Sequence, residues 1–199
     1  MLYLASQSPR RRDLLALLVA DFGVLDVDIP EARDATEPAQ DYVRRVAREK
    51  AGAGLLRVSG NATASVLAAD TEVIVDDAVL GKPANAEAAA AMLRRLSGRT
   101  HQVASCVWLV DAGREVQALS LSEVTFAHLD PRQIDAYVAG GEWRGKAGGY
   151  AIQGRAQAFI AHLSGSYSGV MGLPLYETAG LLHQFGIATA VAEPDVDAA

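Results

Sequence analysis

Residues 65–75 read SVLAADTEVIV, and this run decides the fold class. Val, Ile and Thr favour extended backbone, and a nearly continuous apolar run of this length is typical of a strand buried on both faces. Asp70 ends its apolar first half, where a buried carboxylate must be hydrogen-bonded, ion-paired or bound to metal. The run predicts a central strand that presents Asp70 to a cleft, although a turn or cap carboxylate fits the same pattern.

The residues on either side of this run predict further strands. LYLA (2–5) predicts a first strand, and FGVLDVDI (22–29) predicts another that ends at Pro30. DDAV (76–79) predicts a turn, and residues 101–129 predict a long hairpin that turns at DAG (111–113).

Helices are predicted between these strands. Ser8 and Pro9 are a helix start, because serine caps helix N-termini and proline fits the first helical position. Further helices are predicted within residues 36–56, 85–98, 130–141 and 173–186. The order predicts an α/β fold with an elongated mixed β-sheet flanked by helices, whose strand order stays open.

Composition narrows the class of protein. The chain has 199 residues, half of them hydrophobic, with no apolar run long enough to span a bilayer. The single cysteine, Cys106, excludes an internal disulfide, and a net charge of −6 disfavours nucleic acid as a partner. We expect one domain over residues 1–199, with a frayed tail at about 192–199, in a protein that resides in the cytoplasm and binds neither nucleic acid nor membranes.

Three segments could carry chemistry. SQSPRRR (6–12) places Ser6, Ser8, Arg10 and Arg11 at a helix start, which suits an anion such as phosphate, although a solvated basic turn fits as well. The second segment, AADTEVIVDDAVLGKP (68–83), holds Asp70 and brings Lys82 into a stiff turn.

The third segment, GEWRGKAGGYAIQG (141–154), combines glycines with Gln153, whose amide can match the edge of a uracil-like base, although a mobile loop would look similar. Glu31 and Lys50 are further candidates that, taken singly, fit ordinary surface charges. The scattered histidines disfavour zinc, and P-loop, GxGxxG and serine-hydrolase motifs are missing from the sequence.

Five collinear motifs resemble the Maf family of nucleoside triphosphate pyrophosphatases. They are LASQSPRRRDLL, AADTEVIVDDAVLGKP, AMLRRLSGRTHQV, KAGGYAIQG and GSYSGVMGLPLYET. The resemblance implies two lobes around a nucleotide cleft, as in the Maf/ITPase-like fold, often in a homodimer. It implies hydrolysis between the α and β phosphates with a divalent metal, Mg²⁺ or Mn²⁺.

The resemblance also implies roles for individual residues. Asp70 corresponds to the family's proton acceptor, and Arg10, Thr71 and Gln153 match the branch that acts on dTTP and UTP, with modified pyrimidine nucleotides as further substrates. We expect Asp70 and Glu31 to hold the metal. We expect the phosphates to bind the side chains of Ser6, Ser8, Arg10, Arg11, Lys50 and Lys82.

Two other functions stay open. The family has been linked to septum formation, so a nucleotide-binding regulator of cell division that performs no chemistry is one alternative. It would need the phosphate-binding residues but not a poised carboxylate. A nucleic-acid-binding module is the other alternative, and the acidic net charge disfavours it.

Overall fold

The computed structural model describes residues 1–34 and 36–191, so the predicted frayed tail lies outside the described residues. The strands are β1 Leu2–Ala5, β2 Gly23–Leu25, β3 Ser65–Val75, β4 Ala78–Leu80, β5 Thr100–Val110, β6 Glu115–Phe126 and β7 Ile160–Ser164. The helices are α1 Pro9–Leu15, α2 Ala39–Arg57, α3 Ala86–Leu96, α4 Pro131–Gly140, α5 Tyr167–Met171 and α6 Leu175–Gln184. Short 3₁₀ turns cover Ala147–Gly149 and Arg155–Phe159.

The strands form one mixed sheet of seven in the order β2-β1-β3-β5-β6-β7, with β4 also paired to β3. β1 runs parallel to β2 and β3, whereas β5, β6 and β7 continue the sheet with antiparallel pairs. The predicted central strand is confirmed over its full length, and the hairpin turns between β5 and β6 as expected. The predicted α/β class with helices flanking a mixed sheet is confirmed.

One edge of β3 is open in its middle. β1 pairs with β3 as far as Leu67, and β4 pairs with it only from Val73 onward. Within the described ranges, no strand pairs with residues 68–72 on this edge, while β5 covers their other edge. The sheet therefore carries a notch at Asp70, and loops and helices close around it.

The two faces of β3 differ in what covers them. Alternate residues of a strand point to opposite faces, so Asp70 and Glu72 share one face and Thr71 lies on the other. On the Thr71 face, two separate apolar clusters pack at either end of the strand, one around Val73 and Leu93 and one around Leu67 and Leu182. Helix α2 packs on the Asp70 face through buried side chains such as Val43 and Val46.

Three local predictions differ from the structure. The strand predicted up to Pro30 ends at Leu25, and Val27, Asp28 and Ile29 beyond it line the cleft instead of extending the sheet. The predicted turn at residues 76–79 consists of Asp76 and Asp77, which adopt positive φ, and Ala78 already begins β4. Ser8 occupies the N-cap position of α1 but makes no capping hydrogen bond through its side chain.

In the described part of the chain, no helix has the length and hydropathy to cross a membrane.

Candidate active site

The notch in β3 opens into a cleft of about 680 Å³. Every residue that the sequence analysis singled out as a site residue lines this cleft: Ser6, Ser8, Arg10, Arg11, Glu31, Lys50, Asp70, Thr71, Lys82 and Gln153. They come from six separate segments of the chain, which the strand order brings to one place. The structure thus confirms that these residues are neighbours, while their chemical roles stay predictions.

Acidic and basic side chains alternate on the α2 side of the cleft. Lys50 reaches from α2 to β3, and its Nζ donates to Asp70 Oδ1 at 2.8 Å. The same Nζ lies 2.5 Å from Glu31 Oε1, and Lys82 Nζ lies 3.3 Å from Glu31 Oε2. Two lysines therefore occupy both oxygens of Glu31 but only one oxygen of Asp70.

The ion pairs determine how Glu31 titrates. Burial alone would raise the pKa of the Glu31 carboxyl, but the hydrogen bonds and charges of Lys50 and Lys82 hold this pKa below its ordinary value. Glu31 is therefore ionised at neutral pH and fixed between the two lysines.

Glu72 is a site residue that the sequence analysis missed. It lies two residues beyond Asp70, so both side chains leave the same face of β3, and it lines the cleft. Burial and the neighbouring charge of Asp70 raise the pKa of the Glu72 carboxyl to about 8. The signal was an acidic residue at the i+2 position of an apolar strand, a spacing that places two carboxylates side by side.

The two arginines of the first helix form the opposite side of the cleft, and the chain fixes both through Nε. Arg11 Nε donates to the Gly172 carbonyl at 2.8 Å, and Arg10 Nε donates to the Met171 carbonyl at 3.3 Å. Both acceptors lie at the C-terminal end of α5, about 160 residues further along the chain: Met171 is its last residue and Gly172 follows it. This anchoring directs the guanidinium groups into the cleft, and neither arginine forms an ion pair with an acidic side chain within residues 1–34 and 36–191.

Burial disfavours the positive charges on this side of the cleft, and Arg10 and Lys146 each also lie near a second cation. Burial, together with the charge of Arg11, lowers the pKa of Arg10. Burial also lowers the pKa of Arg11, although the carboxylates of the cleft partly offset that effect. Lys146 completes the group, because its pKa is lowered by burial and by the charge of Arg10. Desolvated like charges that converge on one cavity form a binding site for a polyanion.

Thr71 serves the arginine side rather than the acidic side. Arg11 Nη2 donates to Thr71 Oγ1 at 3.3 Å, and this hydroxyl lies 2.8 Å from Ser105 Oγ, which in turn donates to the Gly169 carbonyl at 2.6 Å. The chain of hydrogen bonds links β3 and β5 to α5. Thr71 therefore helps to hold Arg11 in position.

Gln153 lies in the segment between the two 3₁₀ turns, at the side of the cleft opposite α2. Gly148 makes the close approach of this segment possible: it has φ +68°, and a Cβ atom there would lie 2.9 Å from Val73 Cγ2. Its N–H donates to the Gly81 carbonyl at 3.2 Å, next to Lys82. The side-chain amide of Gln153 makes no hydrogen bond to any described residue, so it is available to a ligand.

The acidic side has two features that suit a hard divalent cation. Asp70 Oδ2 and Glu72 Oε2 are buried, and neither has a hydrogen-bond partner among the described residues. Among the residues that the structure describes, no group of three or more acidic, histidine or cysteine side chains is arranged to hold a metal by itself. Mg²⁺ needs only one or two carboxylates when water and phosphate oxygens supply its other ligands, so these residues fit such an ion.

Residues 1–185 match the family described as Maf-like protein. The chain belongs to this family. A relative from Xanthomonas euvesicatoria pv. vesicatoria, named dTTP/UTP pyrophosphatase, is 60% identical over 94% of this chain and 99% of its own length. Another from Xylella fastidiosa, named nucleoside triphosphate pyrophosphatase, is 58% identical over 93% of this chain and 98% of its own length.

Among solved structures, the Ham1 protein of Staphylococcus aureus superposes on this Maf-like chain with a TM-score of 0.43 and 14% sequence identity. The superposition covers 63% of this chain and 71% of that chain.

Proposed function

We propose that this protein hydrolyses dTTP and UTP to the nucleoside monophosphate and pyrophosphate, and that it accepts modified pyrimidine nucleotides as well. One observation carries the proposal: a single cleft holds two buried carboxylates on one wall and two anchored arginines on the other. Highly similar relatives bear the name dTTP/UTP pyrophosphatase, which agrees with this chemistry.

The basic wall would bind the triphosphate. Arg10 and Arg11 use Nε for the protein backbone, and Arg11 Nη2 also donates to Thr71 Oγ1. This leaves Nη1 of both arginines and Nη2 of Arg10 to donate hydrogen bonds to phosphate oxygens. Ser6, Ser8 and Lys82 line the same cavity and would add further donors. Phosphoryl transfer depends mainly on positioning and on neutralising charge, which these groups provide.

Asp70 would act on the attacking water. The water oxygen forms a bond to the α-phosphorus, the bond from that phosphorus to the bridging oxygen breaks, and pyrophosphate leaves. Lys50 holds Asp70 Oδ1, so Oδ2 is the oxygen that can accept a hydrogen bond and then a proton from the water through one lone pair, which leaves its other lone pair for a cation. Fixing the carboxylate from one side makes its other side available to the substrate.

A divalent cation, Mg²⁺ or Mn²⁺, fits this reaction. When bound, it would neutralise charge on the phosphate oxygens during transfer. Asp70 is one residue that we expect to hold it, through the oxygen that no described residue contacts. Glu31 is the second ligand that the sequence predicts.

Gln153 would read the base. Its carbonyl can accept from the N3–H of uracil or thymine while its amide donates to a neighbouring base carbonyl. Cytosine presents the reverse pattern at N3 and leaves polar groups unpaired, at a cost of about 1–3 kcal/mol, or roughly tenfold to a hundredfold in rate. Thr71 and Arg10 would contribute by placing the phosphates so that the base reaches Gln153.

The test is to incubate the protein with Mg²⁺ and, separately, dTTP, UTP, CTP, ATP, GTP and 7-methyl-GTP, and to quantify monophosphate and pyrophosphate. We expect pyrophosphate chiefly from dTTP and UTP. Asp70→Asn should lower the rate of pyrophosphate release about 10²–10⁴-fold, the range for removal of a general base. Exposed Asp135→Asn is the control and should keep the rate of the unmodified protein. Tight nucleotide binding without any turnover would instead support the nucleotide-binding regulator.

The location and the assembly stay predictions. We propose that the protein works in the cytoplasm, where nucleoside triphosphates are abundant, and that it forms a homodimer. Light scattering coupled to size-exclusion chromatography would give the molar mass in solution. A mass equal to the 20.9 kDa of one chain would contradict the homodimer.

A further inference from the structure

We propose that Glu72, together with Asp70, binds the divalent cation, and that Glu31 is not a ligand to it. The proposal rests on the proposed function for the use of the cation, but the binding site itself is argued from the geometry of the cleft. It adds a metal ligand to the site and replaces the one that the sequence predicted.

The first argument is the placement of the two carboxylates. Asp70 and Glu72 are two residues apart on β3, so their Cα atoms are about 6.7 Å apart on the same face of the strand. Only 5% of Asp70 and 8% of Glu72 is exposed, and both line the cleft. Two side chains of this kind can share one ion that enters from the cleft.

Each of the two carboxylates also has a buried oxygen that no residue in the described part of the chain contacts through a hydrogen bond. Lys50 occupies Asp70 Oδ1, and Asp70 Oδ2 is left without a hydrogen bond. Glu72 Oε2 is likewise buried and unpartnered, and Glu72 forms no ion pair with any described residue. Leaving such oxygens unsatisfied is costly, and a cation between them would remove that cost.

The third argument concerns Glu31. Lys50 forms an ion pair with Glu31 Oε1 and Lys82 forms one with Glu31 Oε2, so both oxygens of Glu31 already contact a cation. A metal ion bound to Glu31 would have to displace one of these lysines or lie beside its positive charge. Glu72 offers a ligand without that repulsion.

The chemistry of the donors also suits a hard cation. Asp70 and Glu72 offer carboxylate oxygens at the wall of a cleft that is open to water and to the substrate. Mg²⁺ and Mn²⁺ prefer carboxylate and water oxygens, which is the donor set this position offers.

The experiment measures Mn²⁺ binding to the nucleotide-free protein by electron paramagnetic resonance, which counts free Mn²⁺ in a titration. We expect Glu72→Gln and Asp70→Asn each to weaken the affinity at least tenfold, and Glu31→Gln to change it less than threefold. Exposed Glu123→Gln is the matched control and should bind Mn²⁺ like the unmodified protein. Circular dichroism melting checks that each variant is folded.

A second measurement needs no variant. Anomalous diffraction from crystals soaked in Mn²⁺ should show a peak within coordination distance of both Asp70 and Glu72. A peak on Glu31 instead, no bound Mn²⁺ in the unmodified protein, or normal affinity in Glu72→Gln would each overturn the proposal. Since neither readout depends on turnover, loss of Mn²⁺ in Glu72→Gln would uphold the site even if no nucleotide were hydrolysed.

Discussion

At the scale of single residues, Lys50 organises the acidic wall of the cleft. It is buried on α2 and contacts Glu31 and Asp70 at once, so one ammonium fixes two carboxylates from different parts of the chain. Removing one partner of a buried ion pair is costly because the other charge is left uncompensated. The wall therefore depends on this one side chain both for its shape and for its charge balance.

Gln153 permits a test of base selectivity at this scale. Gln153→Glu replaces the amide donor with a second acceptor, so we expect kcat/KM for UTP and dTTP to fall about 10–100-fold, in line with one lost hydrogen bond and one unpaired carbonyl. Rates on the other nucleotides should change less. Exposed Gln157→Glu, which introduces the same charge outside the cleft, is the control. If the relative rates across the nucleotides are unchanged, Gln153 does not read the base.

At the scale of elements, the connection between α5 and α6 positions the arginines of α1. Gly172 has φ +124°, a conformation that side chains rarely adopt, and it directs its carbonyl to Arg11 Nε. The carbonyl of Met171 accepts from Arg10 in the same way. The backbone at the end of α5, near the end of the chain, thus holds the two arginines of α1, near its beginning, in position.

Gly172→Ala tests this support. Because alanine cannot hold φ +124° without strain, we expect the backbone to shift and to move the carbonyl of residue 172 away from Arg11 Nε. This shift should raise the KM for UTP about tenfold and destabilise the fold by about 1–3 kcal/mol. Gly180→Ala is the control: that glycine lies within α6 with space around it, so alanine should stabilise the fold by about 0.5–1 kcal/mol. An unchanged KM in Gly172→Ala would show that the carbonyl does not position Arg11.

The contact between β5 and the Gln153 segment has a predictable dependence on pH. His101 Nε2 lies 2.8 Å from the Tyr150 hydroxyl, and burial lowers the pKa of His101 to about 4. Between this value and the ordinary pKa of about 6.5, the unfolded chain binds a proton at this position and the folded chain does not. The free energy of unfolding must therefore fall as the pH falls from about 6.5 toward 4.

Urea unfolding at pH 7.5 and pH 4.5 would measure this effect. The full pKa shift of His101 corresponds to about 3 kcal/mol. We therefore expect the free energy of unfolding to fall between pH 7.5 and pH 4.5 in both proteins, but by about 2–3 kcal/mol less in His101→Gln than in the unmodified protein. In the control, exposed His128→Gln, the free energy of unfolding should fall as much as in the unmodified protein. If His101→Gln follows the unmodified protein, His101 is not neutral in the folded state at acid pH.

The elements that could be predicted from sequence are those with strong local signals. β3 has an unbroken apolar run, and α3 has an asparagine cap whose side chain accepts from Ala88 N–H, so both are found where expected. β7 and α5 were not predicted, because β7 is a short edge strand with a mixed pattern and α5 is a single turn between glycines. Their stability comes from tertiary contacts that no local pattern encodes.

At the scale of the whole molecule, the site depends on the strand order, which the sequence could not supply. The notch exists because β1 stops pairing with β3 at Leu67 and β4 begins at Val73. Motifs from both ends of the chain meet there. Sequence reasoning found which residues share the cleft, but it did not apply the two-residue alternation of a strand, which places Glu72 on the same face as Asp70 and Thr71 on the other face.

Ligand binding should stabilise the whole fold, because the cleft is built from elements of the entire chain. A UTP analogue with an imido group between the α and β phosphates binds without being hydrolysed. At about 100 times its Kd it should add about 2.7 kcal/mol, which raises Tm by roughly 5–10 °C for a protein of this size. Scanning calorimetry would measure this rise in Tm, with the corresponding ATP analogue at the same concentration as the comparison. Equal shifts for both analogues would contradict base selectivity in binding.

The central claim is that the cleft directs water to the α-phosphorus of a pyrimidine triphosphate. The most direct measurement is hydrolysis of UTP in ¹⁸O-labelled water, followed by mass spectrometry of both products. If water attacks the α-phosphorus, UMP should contain one ¹⁸O atom and pyrophosphate none, and the reaction should be lost in Asp70→Asn. Label in pyrophosphate, or release of orthophosphate in its place, would contradict it.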